Sequence, residues 1–161
     1  MASQSSITIL KQFIETSQLK AFAKVSSINV FISCVEKNNL KVNEQKVLEP
    51  IIRSKFSGEE VKIVEQKELA DFIIEVDANT QKDMSSDILN TTYNVQLAFL
   101  KIKLSLRNVQ TSELIYSNEL SDIYGYGNSQ ETAGFNSYQS DKLKVKLSEA
   151  LFFLKRKLIV Y

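Results

Sequence analysis

The sequence predicts an α+β fold, a two-layer sandwich in which a mixed sheet of about five strands carries two main helices on one face. Three observations predict it. Several segments alternate apolar and polar residues as strands do, two segments repeat apolar residues every three or four positions as helices do, and 161 residues are enough to bury one core without disulfide bonds. The predicted order is (α)-β-α-β-β-β-β-α, and helices that cover one face of a sheet form two layers.

The first half of the domain supplies three predicted strands and one helix. Residues 28–36 are predicted to be a strand inside the sheet, because both of its faces carry apolar residues. Asn43 is predicted to cap a helix that ends near Phe56. Pro50 is predicted either to kink this helix or to mark the start of its better-formed half. Residues 61–64 form the next strand, which makes a parallel crossover possible. Residues 72–78 form another strand, and residues 79–91 are predicted to be a polar connection.

The second half supplies an antiparallel meander and the last helix. Residues 92–107 alternate clearly, but the apolar parity changes between Phe99 and Leu100, which predicts a bulge or bend there. Residues 109–112 are a turn and residues 114–124 are the returning strand. Asn128 and Glu131 resemble a capping box, from which one long helix is predicted to run to about residue 158. Its apolar stripe is Leu143, Leu147, Ala150, Leu151, Leu154 and Leu158.

Two parts of the chain are predicted: an arm or helix over residues 1–26 and one α+β domain over residues 27–161. In the arm, Ile7, Leu10 and Ile14 have the spacing of one helix face. No segment has about 18 consecutive apolar residues, so we expect no membrane-spanning helix. Residues 1–6 lack the basic and apolar regions of a signal peptide, which is typical of a cytoplasmic protein or of a mature segment with an added start.

Composition excludes several classes of protein. Only 4 Gly, 1 Pro and 1 Cys exclude collagen-like, proline-rich and disulfide-framework proteins. The chain contains no His, so a Ser-His-Asp triad, a Cys-His dyad or a His-ligated metal site cannot form within it alone. Cys34 lies in an apolar run and is expected to be a small buried residue rather than a nucleophile. We therefore expect no enzymatic activity, no cofactor and no metal site.

The charge pattern gives little reason to expect nucleic acid as a partner. The formal net charge is only +1, which produces no strong field. The one basic concentration is Lys142, Lys144, Lys146, Lys155, Arg156 and Lys157. A solvated helix face with cations near its end is favoured there over a phosphate-binding patch. Glu75 and Asp77 share one face of a strand, and an exposed acidic face is favoured over an acid–base pair.

Residues near the returning strand are the candidates for binding. Tyr116, Tyr124 and Tyr126 form either a contact surface, since tyrosine is enriched in interfaces, or ordinary sheet packing with a wet hydroxyl. Gly125 and Gly127 precede a helix, where backbone donors could hold an anion. Turn chemistry is favoured over that alternative, because the remaining residues of a phosphate-binding fingerprint are missing.

Residues 69–76, 108–117 and 125–134 together resemble the small α/β domains of bacterial cell-envelope lipoproteins. The motifs are an Ala70-Asp71 strand opening, a hairpin, and a glycine-containing approach to the last helix. The group includes penicillin-binding-protein activator lipoproteins, the curli secretion-channel lipoprotein, the N-terminal domain of the TolB type and the lipopolysaccharide-assembly lipoprotein. The resemblance covers about residues 28–158, but the lipid-attachment cysteine of such proteins does not stand at the start of this sequence.

The resemblance implies a non-enzymatic module of the cell envelope that binds another envelope protein or takes part in assembly. It implies a periplasmic or outer-membrane-associated location, with membrane attachment only through an anchor outside this chain; a cytoplasmic location is the alternative. Strand addition at a sheet edge, or the tyrosine surface, would carry the binding. The alternative functions are a subunit of a homo-oligomer joined through residues 1–26, or a small-ligand carrier with a cavity between the last helix and the sheet.

Overall fold

The computed structural model of the chain describes residues 27–84 and 86–161. The arm predicted for residues 1–26 lies outside the described residues. Within them, the strands are β1 (Ile28–Asn38), β2 (Lys41–Val42), β3 (Val61–Val64), β4 (Phe72–Lys82), β5 (Gln96–Asn108) and β6 (Leu114–Gly127). The helices are α1 (Leu48–Phe56), α2 (Ser86–Tyr93), α3 (Gln130–Tyr138) and α4 (Asp141–Val160), with one 3-10 turn at Lys67–Leu69.

The strands form one mixed sheet in the order β2-β1-β4-β5-β6, with β3 also beside β1. β1 runs parallel to β3 and to β4, so β1, α1 and β3 form the predicted parallel crossover. β4, β5 and β6 form the predicted antiparallel meander. β1 lies inside the sheet, because it has strand neighbours on both sides. The predicted α+β fold is therefore confirmed.

The core lies between one face of the sheet and the helices α1, α3 and α4. Phe72, Ile74, Val76 and Ala78 of β4 point into it, as their alternation predicts. The predicted stripe of α4 is buried in full: Leu143, Leu147, Ala150, Leu151, Leu154 and Leu158. Burial of these side chains, at roughly 25 cal/mol per Å² of apolar surface, is the main force that holds the helices on the sheet.

The first helix begins later than predicted. α1 starts at Leu48 rather than near Asn43, and its N-terminus is capped from another element by the carboxylate of Glu36 in β1. Pro50 then falls in the first turn, where a missing backbone N–H costs nothing, because those N–H groups have no partner within the helix. It marks the start of the helix and does not kink it.

The polar connection predicted for residues 79–91 is wrong. β4 continues to Lys82, and α2 covers Ser86–Tyr93. The strand continues because Thr80 takes an inward position and is fully buried, and its hydroxyl donates to Asn38 Oδ1 at 2.6 Å. The sequence did not indicate this continuation of the strand because its residues are polar. A threonine can be buried when its hydroxyl is hydrogen-bonded, and such a residue does not contribute to an apolar pattern.

The predicted irregularity exists, but it lies in β6 and not between Phe99 and Leu100. β5 pairs with β4 without interruption, whereas across β6 Leu100 faces Ile123 and Ile102 faces Leu120. Ser121 and Asp122 therefore share the space opposite a single residue of β5, and Asp122 adopts a φ of 58°. The bulge puts both Leu120 and Ile123 in the core, although they are three residues apart.

The single long helix predicted after residue 129 is two helices. The helical conformation is interrupted at Gln139 and Ser140, and each of the two helices has its own serine N-cap. The Ser129 hydroxyl accepts from the Thr132 N–H at 3.1 Å, and the Ser140 hydroxyl accepts from the Leu143 N–H at 3.3 Å. Ser129, and not Asn128, is thus the first cap, because its extended backbone aims the hydroxyl at the helix start.

Candidate functional site

β6 forms one edge of the sheet and carries all three candidate tyrosines. In the described part of the chain it pairs with β5 alone. Tyr116 lies opposite Leu106, on the face that the helices cover, and its hydroxyl lies 3.5 Å from the Ala150 carbonyl oxygen. Tyr124 and Tyr126 are exposed and lie on the other face. The structure therefore brings Tyr124 and Tyr126 together and separates Tyr116 from them.

The bulge explains this separation. Tyr116 and Tyr124 are an even number of residues apart, so a regular strand would place them on one face. The extra residue at Ser121–Asp122 reverses the parity, and the two side chains point to opposite faces. The three tyrosines still share one strand, so they flank the same sheet edge from its two sides.

Gly125 and Gly127 allow a close approach between two backbones. Neither has a positive φ, and both belong to β6, so the turn interpretation is wrong. A Cβ on Gly125 would lie 2.1 Å from the Ala133 carbonyl oxygen, and one on Gly127 would lie 2.6 Å from the Ala133 nitrogen. Glycine is required here because α3 packs its backbone directly on the strand.

The sheet face away from α1, α3 and α4, the polar face, carries two carboxylates that each lie beside a cation. Glu75 lies 3.7 Å from Arg107 and accepts a hydrogen bond from the Ser105 hydroxyl. Asp77 lies 3.7 Å from Lys37. Both carboxylates are exposed to solvent, as the favoured interpretation of the sequence expects. Within residues 27–84 and 86–161, no group of three or more Cys, Asp or Glu side chains is arranged to hold a metal ion.

A buried polar cluster at the end of β1 was not found from the sequence. Glu36 is fully buried, and its carboxylate accepts the N–H groups of Val47, Leu48 and Glu49. Burial and the neighbouring Glu36 raise the pKa of the Cys34 thiol well above its usual range. The sequence did contain a signal for this cluster, because Glu36 occupies the position of β1 that next faces inward in the alternation of the strand. The cluster stabilises the fold and offers no reacting group to solvent.

The last helix has a second apolar stripe, on the side away from the core. Val145, Phe152 and Ile159 are 68%, 64% and 48% exposed, and Phe153 and Val160 are exposed beside them. The signal for this stripe is its spacing of seven residues, which repeats one direction every two helical turns. It was masked in the sequence by the stronger stripe that faces the sheet.

The place where a cavity was expected, between the last helix and the sheet, is a tightly packed contact of buried side chains. A groove of about 570 Å³ lies instead between α1 and α4, lined in part by Val47, Ile51, Leu143 and Leu147. The alternative function of a small-ligand carrier stays a prediction.

The fold is shared with known proteins, although sequence comparison detects none. No protein-family model matches the chain, and no curated protein matches it. A solved structure described as a neuraminyllactose-binding hemagglutinin homolog from Helicobacter pylori is 14% identical, over 86% of this chain and 93% of that chain, with a TM-score of 0.50. This similarity shows a common fold.

Two further solved structures are less similar. One from Xanthomonas campestris is 9% identical over 81% of this chain and 85% of that chain, with a TM-score of 0.47. A lipoprotein from Neisseria meningitidis is 7% identical over 76% of this chain and 99% of that chain, with a TM-score of 0.45. The neighbours thus include a bacterial lipoprotein but confirm none of the specific groups named from the sequence. Among the described helices, none combines the length and apolar character needed to cross a bilayer.

Proposed function

We propose that this chain is a non-catalytic, protein-binding module of the bacterial cell envelope, whose partner adds an extended segment to the outer edge of β6. The observation that carries the proposal is the edge itself. β6 is 14 residues long and has no strand beyond it in the described part of the chain. The envelope location is supported by the resemblance of residues 28–158 to the domains of envelope lipoproteins.

An unpaired edge offers a row of backbone donors and acceptors to an incoming strand. Part of this row is already occupied. The Ser121 carbonyl accepts from Lys146 Nζ, and the Tyr126 carbonyl accepts from Asn136 Nδ2, each at 2.7 Å. The stretch Tyr116–Leu120 lies between the two register shifts of β6, and it is the open part of the edge that we expect an added strand to use.

The tyrosines would supply contacts on both sides of an added strand. Tyr116 lies beside the helix-covered face, and Tyr124 and Tyr126 lie exposed on the polar face. Aromatic side chains next to a strand edge give large contact areas at a low cost in side-chain entropy. Backbone pairing would supply affinity, and these side chains would supply specificity.

A binding role without catalysis is supported by the chemistry of the exposed groups. The chain has no His, and the paired carboxylates Glu75 and Asp77 each lie next to a cation on an open face. Acid–base catalysis needs groups held in a site that excludes water and separates their pKa values. The polar face of this sheet does not provide such a site.

Site-specific photo-crosslinking tests the proposal. A photo-reactive aromatic residue is introduced at Ser117 in the open stretch, or at Tyr126, in bacterial cells that produce the full chain. We expect both positions to crosslink to the same envelope protein. The same residue at Tyr93, which is exposed on α2, is the matched control and should give no such product. Equal crosslinking from all three positions, or none from Ser117, would contradict an interface at this edge.

A further inference from the structure

We propose that the outer face of α4 binds the surface of a bilayer that contains anionic phospholipid, with the helix lying flat on it. The outer face of α4 is defined by Val145, Phe152, Phe153, Ile159 and Val160 and by the cations between and beside them. Phe153 at the margin of this face lines a groove with Asn118 and Leu120 of β6, so the two surfaces adjoin. The inference names a different partner, a lipid surface, so it goes beyond the proposed function and does not depend on it.

The apolar part of this face is continuous along the helix. Val145, Phe152 and Ile159 are seven residues apart, and an ideal helix drifts by only about 20° per seven residues, so they form one nearly straight line. The rings of Phe152 and Phe153 pack edge to face with centroids 5.7 Å apart. Exposed apolar patches of this kind on a folded domain mark sites of interaction.

Cations flank the apolar line, and one acidic residue, Glu149, lies among its members. Six basic and two acidic residues in α4 give it a net charge of +4, whereas the whole chain has +1, so the remainder carries −3. Lys155 and Arg156 line a groove of about 260 Å³ together with Phe152 and Ile159. Within the described part of the chain, neither of these two cations forms an ion pair. Both are therefore available to phosphate groups.

An anionic bilayer fits this combination better than the other possible occupants. Aromatic and aliphatic side chains enter the boundary between headgroups and acyl chains, while flanking lysines contact the headgroups. A second copy would bring two faces of charge +4 together. Residues 1–26 carry Lys11, Lys20 and Lys24 against the single Glu15, so this segment is also cationic and would be repelled.

The geometry leaves the opposite face of the sheet free. The core-facing stripe of α4 holds the helix on the sheet, so its outer face is presented as a rigid surface about 30 Å long, at roughly 1.5 Å per residue. The polar face of the sheet, with its Glu75–Arg107 and Lys37–Asp77 pairs, points away from the bilayer in this orientation.

A tryptophan reporter tests the contact directly, because the chain contains no Trp. Phe152→Trp is made in the full chain and mixed with vesicles of phosphatidylglycerol and phosphatidylcholine, or of phosphatidylcholine alone. We expect a blue shift, and quenching by brominated acyl chains, only with the anionic vesicles. Tyr93→Trp is the matched control and should not respond, since it lies at an exposed position on α2.

Charge variants separate a specific face from general cationic attraction. Lys155→Gln with Arg156→Gln removes two charges, and the cosedimentation affinity for anionic vesicles should fall roughly 25-fold, at about five-fold per charge. Lys62→Gln with Lys103→Gln removes two exposed charges elsewhere and should leave the affinity nearly unchanged. Equal losses in the two pairs, or equal binding to neutral vesicles, would overturn the proposal.

The competing occupants have different outcomes, and each would overturn the proposal. If a second copy covers the face, light scattering shows a dimer without lipid, and Phe152→Ser makes it a monomer. If residues 1–26 cover the face, the indole introduced by Phe152→Trp has the blue-shifted fluorescence of a buried group without lipid. Its fluorescence then shifts to the red when these residues are deleted. Crosslinking from Ser117 is expected to be unaffected by Phe152→Ser, so failure here and failure of the β6 interface are distinguishable.

Discussion

The buried carboxylate of Glu36 accepts a hydrogen bond from the backbone N–H of Leu48 at 2.9 Å. The same carboxylate accepts from Val47 at 2.9 Å and from Glu49 at 3.2 Å, so one side chain of β1 satisfies the N-terminus of α1. A negative charge at this position also interacts favourably with the helix dipole. The contact fixes where α1 begins and how it crosses the sheet.

Glu36→Ala should strongly destabilise the domain. It leaves three buried or half-buried backbone N–H groups without their acceptor, at a cost of about 3 kcal/mol in the free energy of unfolding. Glu36→Gln retains one acceptor oxygen and should lose less. Urea unfolding followed by circular dichroism measures both, with the exposed Glu44→Ala as the control. A midpoint for Glu36→Ala equal to that of Glu44→Ala would show that the carboxylate does not support the helix.

The elements that were predictable are those whose apolar pattern alone decides their position. The alternation in β1, β4 and β5 and the stripe of α4 located the core correctly, because burying apolar side chains is the main driving force for folding. The helix boundaries were missed where a polar residue decides them. Glu36 caps α1 from a distant strand and Ser140 starts α4, and neither contact has a periodic signature.

The sequence predicted the strand that carries the candidate residues, but it did not predict which of their side chains share a surface. The sequence located the tyrosines on the returning strand, but the bulge at Ser121–Asp122 decides which face each one occupies. The exposed line of Val145, Phe152 and Ile159 was missed for a different reason. Apolar residues on both sides of a helix show that it has two apolar faces, and only the packed structure shows which one is uncovered.

Gly125→Ala should disrupt the contact between β6 and α3. The new Cβ would lie 2.1 Å from a backbone oxygen and 2.2 Å from the Ser137 nitrogen, and backbone atoms cannot move aside as a flexible side chain would. We expect a loss of about 3 kcal/mol or more in the free energy of unfolding, or failure to fold.

Gly58→Ala is the matched control for this substitution. No atom lies within 4 Å of a Cβ at Gly58, and its φ is not positive, so alanine should be neutral or stabilise by up to about 1 kcal/mol. Thermal unfolding of the two variants compares them directly. If both alanines have the same melting temperature, the close packing of α3 on Gly125 is wrong.

Stability should fall at alkaline pH because two buried groups resist losing a proton. Burial, followed by the Glu36 carboxylate, raises the pKa of the Cys34 thiol above its ordinary value of 9.0. The same two causes raise the pKa of the Tyr138 hydroxyl above its ordinary value of 10.0. Folding therefore favours the protonated form of both groups.

The sign of the effect follows from the unfolded chain. Below pH 9.0 both groups are protonated in both states and their contribution is fully present. Above it the unfolded thiol ionises and the folded one does not, so the free energy of unfolding falls by about 1.4 kcal/mol per pH unit for each group past its ordinary pKa. Urea unfolding of the wild type and of Cys34→Ala over a series of pH values isolates the thiol. The difference in the free energy of unfolding between the two proteins should be constant at neutral pH, and above pH 9.0 the wild type should lose stability relative to Cys34→Ala. A difference that stays constant at alkaline pH would show that the thiol ionises as readily in the folded protein as in the unfolded chain.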